Sequence, residues 1–381
     1  MFDFDFHNPT KILFGRGRET EIGKELQAAG IGKVLFLYGR DSIKKSGLWD
    51  RIVASLQQNN IAWVEHAGVV SNPVISHTRL GVDLAKKERV DAVLAVGGGS
   101  VLDEGKAIAV GALSDDDVWD YFVGKEVVAA LPVFAVLTLA ATGSEMNGNA
   151  VVTNEETRQK YNIASIHVYP RVSILNPELT CTVPPNYSAY GAVDAIAHVI
   201  EGYFTRRGGT HLQDRLVEGI IKTVIETNNI IMKEPADYAA RAEFMWAATL
   251  ALNGLTTAGL DEYSFPNHMI EHALSAIYNI AHGAGLAIVI PAWMKWYSPR
   301  CPERFQRFSL EIFGLHGVEA GIDALENWFA AIGAPIRLSH VGIKEHDIDQ
   351  IADNAFGLAT QWGIAGIYPS KAIAEILRFA V

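Results

Sequence analysis

The hydrophobic pattern changes near residue 180, and this change constrains the fold more than any other feature of the sequence. Before it, short unbroken apolar runs alternate with stretches of helical apolar spacing. The apolar runs cover residues 33–38, 61–65, 91–96 and 132–137, and the clearest helical stretches cover 48–58 and 101–112. Continuous apolar strands that alternate with helices are typical of a parallel sheet covered on both faces. The first half therefore predicts an α/β domain.

Beyond the Pro184–Pro185 pair, strand-like runs nearly vanish. Segments with helical apolar spacing follow at 187–204, 213–232, 238–254, 268–279 and 283–297. Such a series predicts an all-helical second domain. The expected fold class is α/β, with a Rossmann-like parallel-sheet domain at residues 1–180, which binds a nucleotide, followed by a helical metal-binding domain at 181–381.

Length and charge exclude several classes of protein. A chain of 381 residues favours two domains, and a formal net charge of −11 leaves no basic surface for a nucleic-acid partner. The two cysteines, Cys181 and Cys301, form neither a disulfide framework nor a CxxC metal clip. The N-terminal segment lacks the apolar core of a signal peptide, and the longest apolar run is too short to span a bilayer. We expect a cytoplasmic protein without a membrane partner.

A glycine-rich loop, Gly97-Gly98-Gly99-Ser100, lies between an apolar strand and a helix. Glycines permit close backbone approach, and a helix N-terminus favours an anion, so a diphosphate is the expected ligand. The loop matches neither the GxGxxG fingerprint nor a P-loop, and the motif alone also fits a structural turn. Asp103 is a candidate acceptor for a ribose or an amide, and Lys106 a candidate partner for Asp103 or for the loop. The alternative for both is a solvated i,i+3 pair.

A second polar loop follows the fourth apolar run, with Thr138 and then Thr142-Gly143-Ser144-Glu145. Ligands of open α/β sheets bind at the carboxyl ends of the strands, where both loops are expected. Two loops at one edge favour a nucleotide site more than either does alone.

One acid and four histidines cluster in the apolar helical half. Asp194 and His198 are spaced i,i+4, His268 and His272 repeat that spacing, and His282 follows. A carboxylate with imidazoles suits Zn²⁺ or Fe²⁺. The alternative is a set of hydrogen-bonded core histidines, and spacing alone does not choose between His268 and His272. The other histidines, such as His7, His66, His167 and His346, are assigned to the ordinary core and surface class.

Several motifs together resemble the iron-containing (group III) alcohol dehydrogenase family. They are GGGSVLDEGKAIA, ATGSEMN, LNPEL, DAIAH and the pair HMIEH…IAHG. The similarity is greatest to the NADPH-dependent butanol dehydrogenase and aldehyde reductase branch, and it runs from residue 8 through His282. The resemblance implies a dehydroquinate synthase-like fold, an α/β domain followed by a helical one.

The resemblance also implies a ligand set for one divalent ion, Fe²⁺ or Zn²⁺. The metal ligands fall on Asp194, His198, His268 and His282. His272 falls on a family histidine that is not a ligand and lies beside the nicotinamide. The resemblance implies that a proton reaches the alkoxide by way of His272, the cofactor ribose or water. These five side chains are the expected catalytic group.

The cofactor positions that the resemblance implies lie in the first half. They are Gly39, Arg40, Ser42, Gly97, Gly98, Gly99, Ser100, Asp103, Thr138, Thr142, Ser144, Asn147, Lys160 and Leu179. NAD-preferring relatives carry an acid where this chain has Gly39, and Gly39 followed by Arg40 should accept a 2′-phosphate. Asp41 departs from the glycine-serine pattern of the NADP branch. The expected preference is NADP(H) over NAD(H).

The implied activity is hydride transfer between NADP(H) and primary alcohols or aldehydes, in a homodimer that forms through the N-terminal strand at residues 2–12. Glycerol dehydrogenase-like or other polyol oxidoreductases are the alternative within the superfamily. A dehydroquinate synthase-like lyase is a second alternative, although it requires basic residues around its metal. A metal hydrolase and a non-catalytic nucleotide-binding module are the alternatives from other classes.

Overall fold

The computed structural model describes residues 1–208 and 210–381. The chain forms two compact units. One contains His7–Thr182, and the other joins Met1–Phe6 to Val183–Val381. The predicted domain boundary between residues 180 and 181 stays a prediction.

Six parallel strands form the sheet of the first unit, in the order β1-β8-β5-β4-β2-β3. Two further strands, β6 and β7, form an antiparallel hairpin. The strands are β1 (Lys11–Phe14), β2 (Lys33–Tyr38), β3 (Ala62–Ala67), β4 (Ala92–Gly97), β5 (Val133–Leu137), β6 (Asn149–Asn154), β7 (Gln159–Ala164) and β8 (Val172–Leu175).

Helices cover both faces of this sheet, and consecutive residues of its central strands are therefore buried. In β2, Phe36 on one face and Leu37 on the other are both fully buried. Phe36 belongs to the cluster that includes the first helices, whereas Leu37 lies beside Gly105 of the helix that follows β4. The helices of this unit are α1 (Ile22–Ala28), α2 (Ser42–Lys45), α3 (Leu48–Gln58), α4 (Ile75–Glu88), α5 (Gly99–Gly111) and α6 (Trp119–Phe122).

The carboxyl ends of four neighbouring strands bring together the loops that the sequence singled out. Gly39 follows β2, Gly98 follows β4 and Thr138 follows β5. Backbone hydrogen bonds join these ends, since Thr138 donates its N–H to Gly97 O (2.9 Å) and Gly68, after β3, donates to Gly39 O (2.9 Å). All four strand ends therefore lie along one edge of the sheet.

The second unit is built of helices. Proline occupies the first turn of three of them, where its missing N–H removes no hydrogen bond. Their core contains fully buried aromatic side chains such as Trp293, Phe305 and Phe329. The helices are α7 (Pro185–Thr205), α8 (His211–Ile231), α9 (Tyr238–Ala251), α10 (Pro266–Tyr278), α11 (His282–Tyr297), α12 (Pro302–Phe313), α13 (Val318–Ala331), α14 (Ile348–Gln361) and α15 (Ser370–Arg378).

The predicted fold class is confirmed, with a parallel α/β unit followed by a helical one. None of the helices in the described part of the chain is both long enough and apolar enough to span a bilayer. The cytoplasmic location stays a prediction.

Candidate active site

Four polar side chains converge in the helical unit around one carboxylate oxygen. Helix α7 carries Asp194 and His198 one turn apart, α10 carries His268, and His282 is the first residue of α11. The Nε2 atoms of the three histidines lie 3.4, 3.7 and 3.5 Å from Asp194 Oδ1, for His198, His268 and His282 in that order. The helical spacing of Asp194 and His198 explains why both reach the same point.

These positions fit a divalent ion. Ligand atoms about 2.1 Å from a tetrahedral ion lie about 3.4 Å from one another, close to the separations found here. Asp194 Oδ1 and His268 Nε2 are buried and have no hydrogen-bond partner among the described residues. Buried polar atoms without partners are costly, and a metal ion would satisfy both. One carboxylate and three imidazoles are a donor set for Zn²⁺ or Fe²⁺.

Two fully buried glutamates orient two of the histidines. Glu201 Oε2 accepts a hydrogen bond from His268 Nδ1 (2.6 Å), and Glu201 Oε1 accepts from the backbone N–H of His268 (3.2 Å). Glu271 contacts His282 Nδ1 with one oxygen and accepts from the Ser275 hydroxyl with the other. Each contact turns Nε2 of its histidine toward Asp194, as carboxylates behind metal-bound histidines commonly do.

Neither glutamate was among the residues predicted from the sequence, although the spacing of each from a predicted ligand was visible there. Glu201 lies three residues after His198, and Glu271 lies three residues after His268. That spacing places each acid near a predicted ligand on the same helix, within an otherwise apolar segment.

The electrostatics of the pocket favour an anionic aspartate. Burial alone disfavours the charge of Asp194, yet the surrounding imidazoles hold the pKa of its carboxyl below the usual range. Burial lowers the pKa of His198 to about 3, so this imidazole is neutral. Burial acts in the same direction on His268 but is outweighed by Glu201 and Asp194, which raise its pKa to about 10. A metal ion would therefore displace a proton from His268.

His272 lies beside this group. Its ring centroid is 6.4 Å from that of His268 and 5.7 Å from that of His282, and Trp362 approaches it edge-on at 5.9 Å. Of His268 and His272, between which spacing left the choice open, His268 has its Nε2 within 3.7 Å of Asp194 Oδ1, and its role as the metal ligand stays a prediction.

The glycine-rich loop of the first unit begins α5. Gly98 is its N-cap in an extended conformation, and Gly99 opens the helix. A Cβ on Gly98 would lie 3.1 Å from the Leu139 side chain, and one on Gly99 would lie 2.4 Å from Thr142. The loop is thus packed closely against residues 138–142. The N–H groups of Gly99 and Ser100 precede the first hydrogen bonds of α5, which run from Val101 and Leu102 to Gly98 O.

Asp103 and Lys106 are buried, so the alternative of a solvated surface pair was wrong. Asp103 accepts hydrogen bonds from the Ser144 hydroxyl (2.6 Å) and the Val151 N–H (3.2 Å). Lys106 Nζ donates to Ser144 Oγ and to Asn147 O, at 2.8 and 3.0 Å. Burial lowers the pKa of Lys106 to about 8. Both side chains hold the loop at residues 144–149 against α5.

The remaining predicted cofactor residues lie around the same sheet edge or near it. Arg40 is exposed after β2, and Ser42 begins α2. Lys160 of β7 is buried and donates to Asn72 Oδ1 (3.0 Å). Leu179 lies in the 3₁₀ turn Pro177–Thr180 and packs against the core of the sheet.

Comparisons with known proteins agree with this architecture. The model of the family "Iron-containing alcohol dehydrogenase" matches residues 9–177, and that of the "Fe-containing alcohol dehydrogenase family, C-terminal" matches residues 188–379. The chain is 42% identical to "Probable NADH-dependent butanol dehydrogenase 1" of Bacillus subtilis, over 94% of this chain and 95% of that protein. It is 36% identical to "NADPH-dependent aldehyde reductase YqhD" of Escherichia coli, over 93% and 96%.

Solved structures show the same likeness. The crystal structure of NADH-dependent butanol dehydrogenase A from Thermotoga maritima superposes with a TM-score of 0.98 at 48% identity, covering 100% of this chain and 99% of that one. This family implies a nicotinamide cofactor and a divalent metal. The chain therefore belongs to the iron-containing alcohol dehydrogenase family and is an NAD(P)-dependent alcohol dehydrogenase.

Proposed function

We propose that this enzyme interconverts primary alcohols and aldehydes, with NADP(H) as the preferred cofactor and one Fe²⁺ or Zn²⁺ as the metal. The metal ligands in this proposal are Asp194, His198, His268 and His282. One observation carries it, namely the convergence of three imidazole nitrogens on Asp194 Oδ1 within 3.4–3.7 Å.

Bound metal and cofactor supply the chemistry that side chains cannot, since a divalent ion withdraws electron density from the substrate oxygen and a nicotinamide exchanges hydride with the carbonyl carbon. The chain supplies position. Glu201 fixes the ring of His268 and Glu271 that of His282, so their Nε2 atoms keep their direction during turnover. Asp194, His198 and His268 are themselves buried, and the exclusion of water strengthens these interactions.

His272 is the proposed proton relay. It is buried to 4% exposure, next to His282 and Trp362. In aldehyde reduction the alkoxide oxygen of the product takes up a proton, and an imidazole near neutral pH can deliver one.

Cofactor binding is assigned to the sheet edge in the first unit. The N-terminus of α5 would hold the diphosphate, because backbone N–H groups and the helix dipole favour an anion there. The absence of an acid at Gly39 removes a repulsion from a 2′-phosphate, and exposed Arg40 can add a charge-assisted contact. Some relatives are named as NADH-dependent and others as NADPH-dependent, so this preference rests on Gly39 and Arg40 alone.

A steady-state panel tests the proposal. Metal-free protein is loaded with Fe²⁺ or Zn²⁺ and assayed with short and long primary alcohols and aldehydes, with glycerol, and with both cofactors. We expect the highest kcat/KM for an aldehyde with NADPH. Preferred turnover of glycerol would favour the polyol alternative, and no turnover with any carbonyl substrate would contradict the proposal.

A further inference from the structure

A second group of ionisable side chains lies in the first unit, away from the metal pocket. His66 is on β3, His77 on α4 and Glu104 on α5. His77 Nδ1 is 2.5 Å from Glu104 Oε1, and His66 Nε2 is 3.8 Å from the same oxygen. Glu104 is fully buried, and its Oε2 has no hydrogen-bond partner among the described residues. From the sequence, His66 was assigned to the ordinary core and surface histidines, and this group was not predicted.

The hydrogen bonds of His77 show how many protons His77 and Glu104 share. Its Nε2 lies 3.1 Å from Ala67 O, and a carbonyl oxygen only accepts, so Nε2 carries a hydrogen. The short contact between Nδ1 and Glu104 then needs one more proton, because an unprotonated nitrogen and a carboxylate would repel each other. The pair therefore holds one shared proton, and its loss leaves a buried net negative charge.

The hydrogen bonds of the two rings make a metal ion a poor occupant. His66 Nε2 lies 3.2 Å from His77 O, and His77 Nε2 lies 3.1 Å from Ala67 O. A carbonyl oxygen only accepts, so both nitrogens carry a hydrogen and offer no lone pair to a metal. The group is arranged to hold a proton.

The pair connects two segments assigned to the cofactor. His77 donates to Ala67 O at the end of β3, and the next residue, Gly68, donates its N–H to Gly39 O (2.9 Å). On the other side, Glu104 lies on α5, five residues after Gly99, which opens the helix. A Cβ on Gly68 would lie 3.4 Å from His77 Nε2, so the contact is close.

We propose that His77 and Glu104 are a positioning pair, which holds the Gly39 loop and the N-terminus of α5 in register for the cofactor and releases them when the shared proton is lost. The proposal rests on the proposed function, because it takes both segments as cofactor contacts. Cofactor affinity should therefore fall as the pH rises, while the metal pocket, which lies in the other unit, is unaffected.

The direction follows from the groups that face His77, which are Glu104 on α5 and His66 on β3. The hydrogen bond that His77 donates to Glu104 outweighs burial and raises the pKa of His77. A raised pKa means that the contact is complete below the ordinary histidine pKa and is lost as the pH rises through the higher value. Burial lowers the pKa of His66, so that ring is neutral and does not compete for the proton.

The test measures dissociation constants of NADPH and NADH by nicotinamide fluorescence, from about pH 7 to about pH 9.5, without substrate. The variants are His77→Gln and Glu104→Gln, with His346→Gln as control, because that side chain is 75% exposed. We expect wild-type affinity to fall about tenfold across this range, as for loss of a buried hydrogen bond. Both pair variants should already bind weakly at the lower pH and show a flatter profile, with unchanged metal content and kcat at saturating cofactor.

Glu104→Gln also separates this effect from the titration of Lys106, whose pKa of about 8 lies in the tested pH range. Lys106 is still present in that variant, so any pH dependence due to Lys106 would remain. A Glu104→Gln profile as steep as that of wild type would overturn the proposal, as would a pH-independent wild type. If His77→Gln fails to fold, the wild type and Glu104→Gln still decide the question. Wild-type protein that binds neither cofactor at any pH would instead contradict the proposed function itself.

Discussion

Asp194 shows how neighbouring side chains determine the charge of a buried group. An isolated carboxylate with 2% exposure would favour its neutral form, but three imidazoles within 3.7 Å stabilise the anion. Glu201 and Glu271 engage Nδ1 of His268 and His282, so the Nε2 atoms of these two rings face Asp194. The pocket is therefore preformed for a cation.

Removal of one histidine tests this ligand set. His268→Ala or His198→Ala should weaken metal binding by about 100-fold or more, since loss of a ligand exceeds the typical effect of its supporting partner. Turnover should be lost while the parallel-sheet unit stays folded. Elemental analysis after dialysis and circular dichroism measure both, with His346→Ala as the exposed control. Full metal occupancy in both variants would refute the assignment.

Cofactor preference is a second prediction at the scale of single residues. Gly39→Asp should reverse the preference from NADPH to NADH by kcat/KM, because a carboxylate accepts from the ribose hydroxyls and repels a 2′-phosphate. The contact of Arg40 contributes roughly 1.5–3 kcal/mol, about a ten- to hundred-fold preference, and Asp41 opposes it if its carboxylate turns inward.

The substitution at Gly39 is sterically mild, since its Cβ would lie 3.4 Å from Val69 O. Gly39→Ser is the matched control, which adds a side chain without a charge. If wild type prefers NADH, or if the aspartate variant keeps the wild-type ratio, this loop does not read the 2′-phosphate.

Among the elements, those with strong local patterns could be predicted from the sequence. β2 was predicted at its observed bounds, and β4 and β5 to within one residue, because each is a run of buried apolar residues. The N-terminal strand expected at residues 2–12 overlaps β1 (Lys11–Phe14) only at residues 11 and 12. The short strand β8 was not predicted, since four-residue strands such as these acquire their pairing from each other across the sheet. The β6–β7 hairpin was also missed, because polar residues within the strands, such as Thr153, Lys160 and Asn162, leave no unbroken apolar run.

The same limit applies to the candidate site. Spacing along one helix identified Asp194 with His198, but contacts between helices determine which way His272 and His268 face. Burial of Asp103 and Lys106 arises from the loop at residues 144–149, which lies about forty residues along the chain. No local pattern encodes such a contact.

The glycine-rich loop yields a prediction at the scale of an element. Gly98→Ala should raise the cofactor KM about tenfold, because its methyl group lies where the backbone must approach a diphosphate. Gly105→Ala on the same helix is the matched control. In each variant the new Cβ would lie 3.1 Å from a neighbouring Cβ, that of Leu139 or Ala95.

Both variants should therefore lose similar stability in thermal melts, but only Gly98→Ala should change the KM for NADPH. Metal content should stay at the wild-type level in both. Equal cofactor KM values in the two variants would mean that the loop is a structural turn and does not bind the diphosphate.

At the scale of the whole molecule, family membership excludes three of the alternatives that the sequence left open. They are a dehydroquinate synthase-like lyase, a metal hydrolase and a non-catalytic nucleotide-binding module. The two units carry different parts of the proposed chemistry. The phosphate loop belongs to His7–Thr182, and the metal pocket belongs to the unit that includes Val183–Val381. Activity should therefore require both units in one chain.

A homodimer is the prediction for the assembly. The edge strand β1 pairs only with β8 among the described strands, and Phe4 and Phe6 near the N-terminus are about half exposed. We expect light scattering at micromolar concentration to give twice the mass of the chain, and Phe4→Ser with Phe6→Ser to shift the protein toward monomer. A wild-type monomer at that concentration would refute this assembly.

Metal dependence of turnover tests the central claim most directly. Protein depleted by a chelator is titrated with Fe²⁺ or Zn²⁺ while NADPH-dependent reduction of butanal is recorded. We predict negligible activity in the depleted protein and a linear rise that ends at one equivalent of metal per chain. Three imidazole nitrogens converge on Asp194 Oδ1 and form with it one group of four proposed ligands. Full activity of the metal-depleted protein would contradict the account.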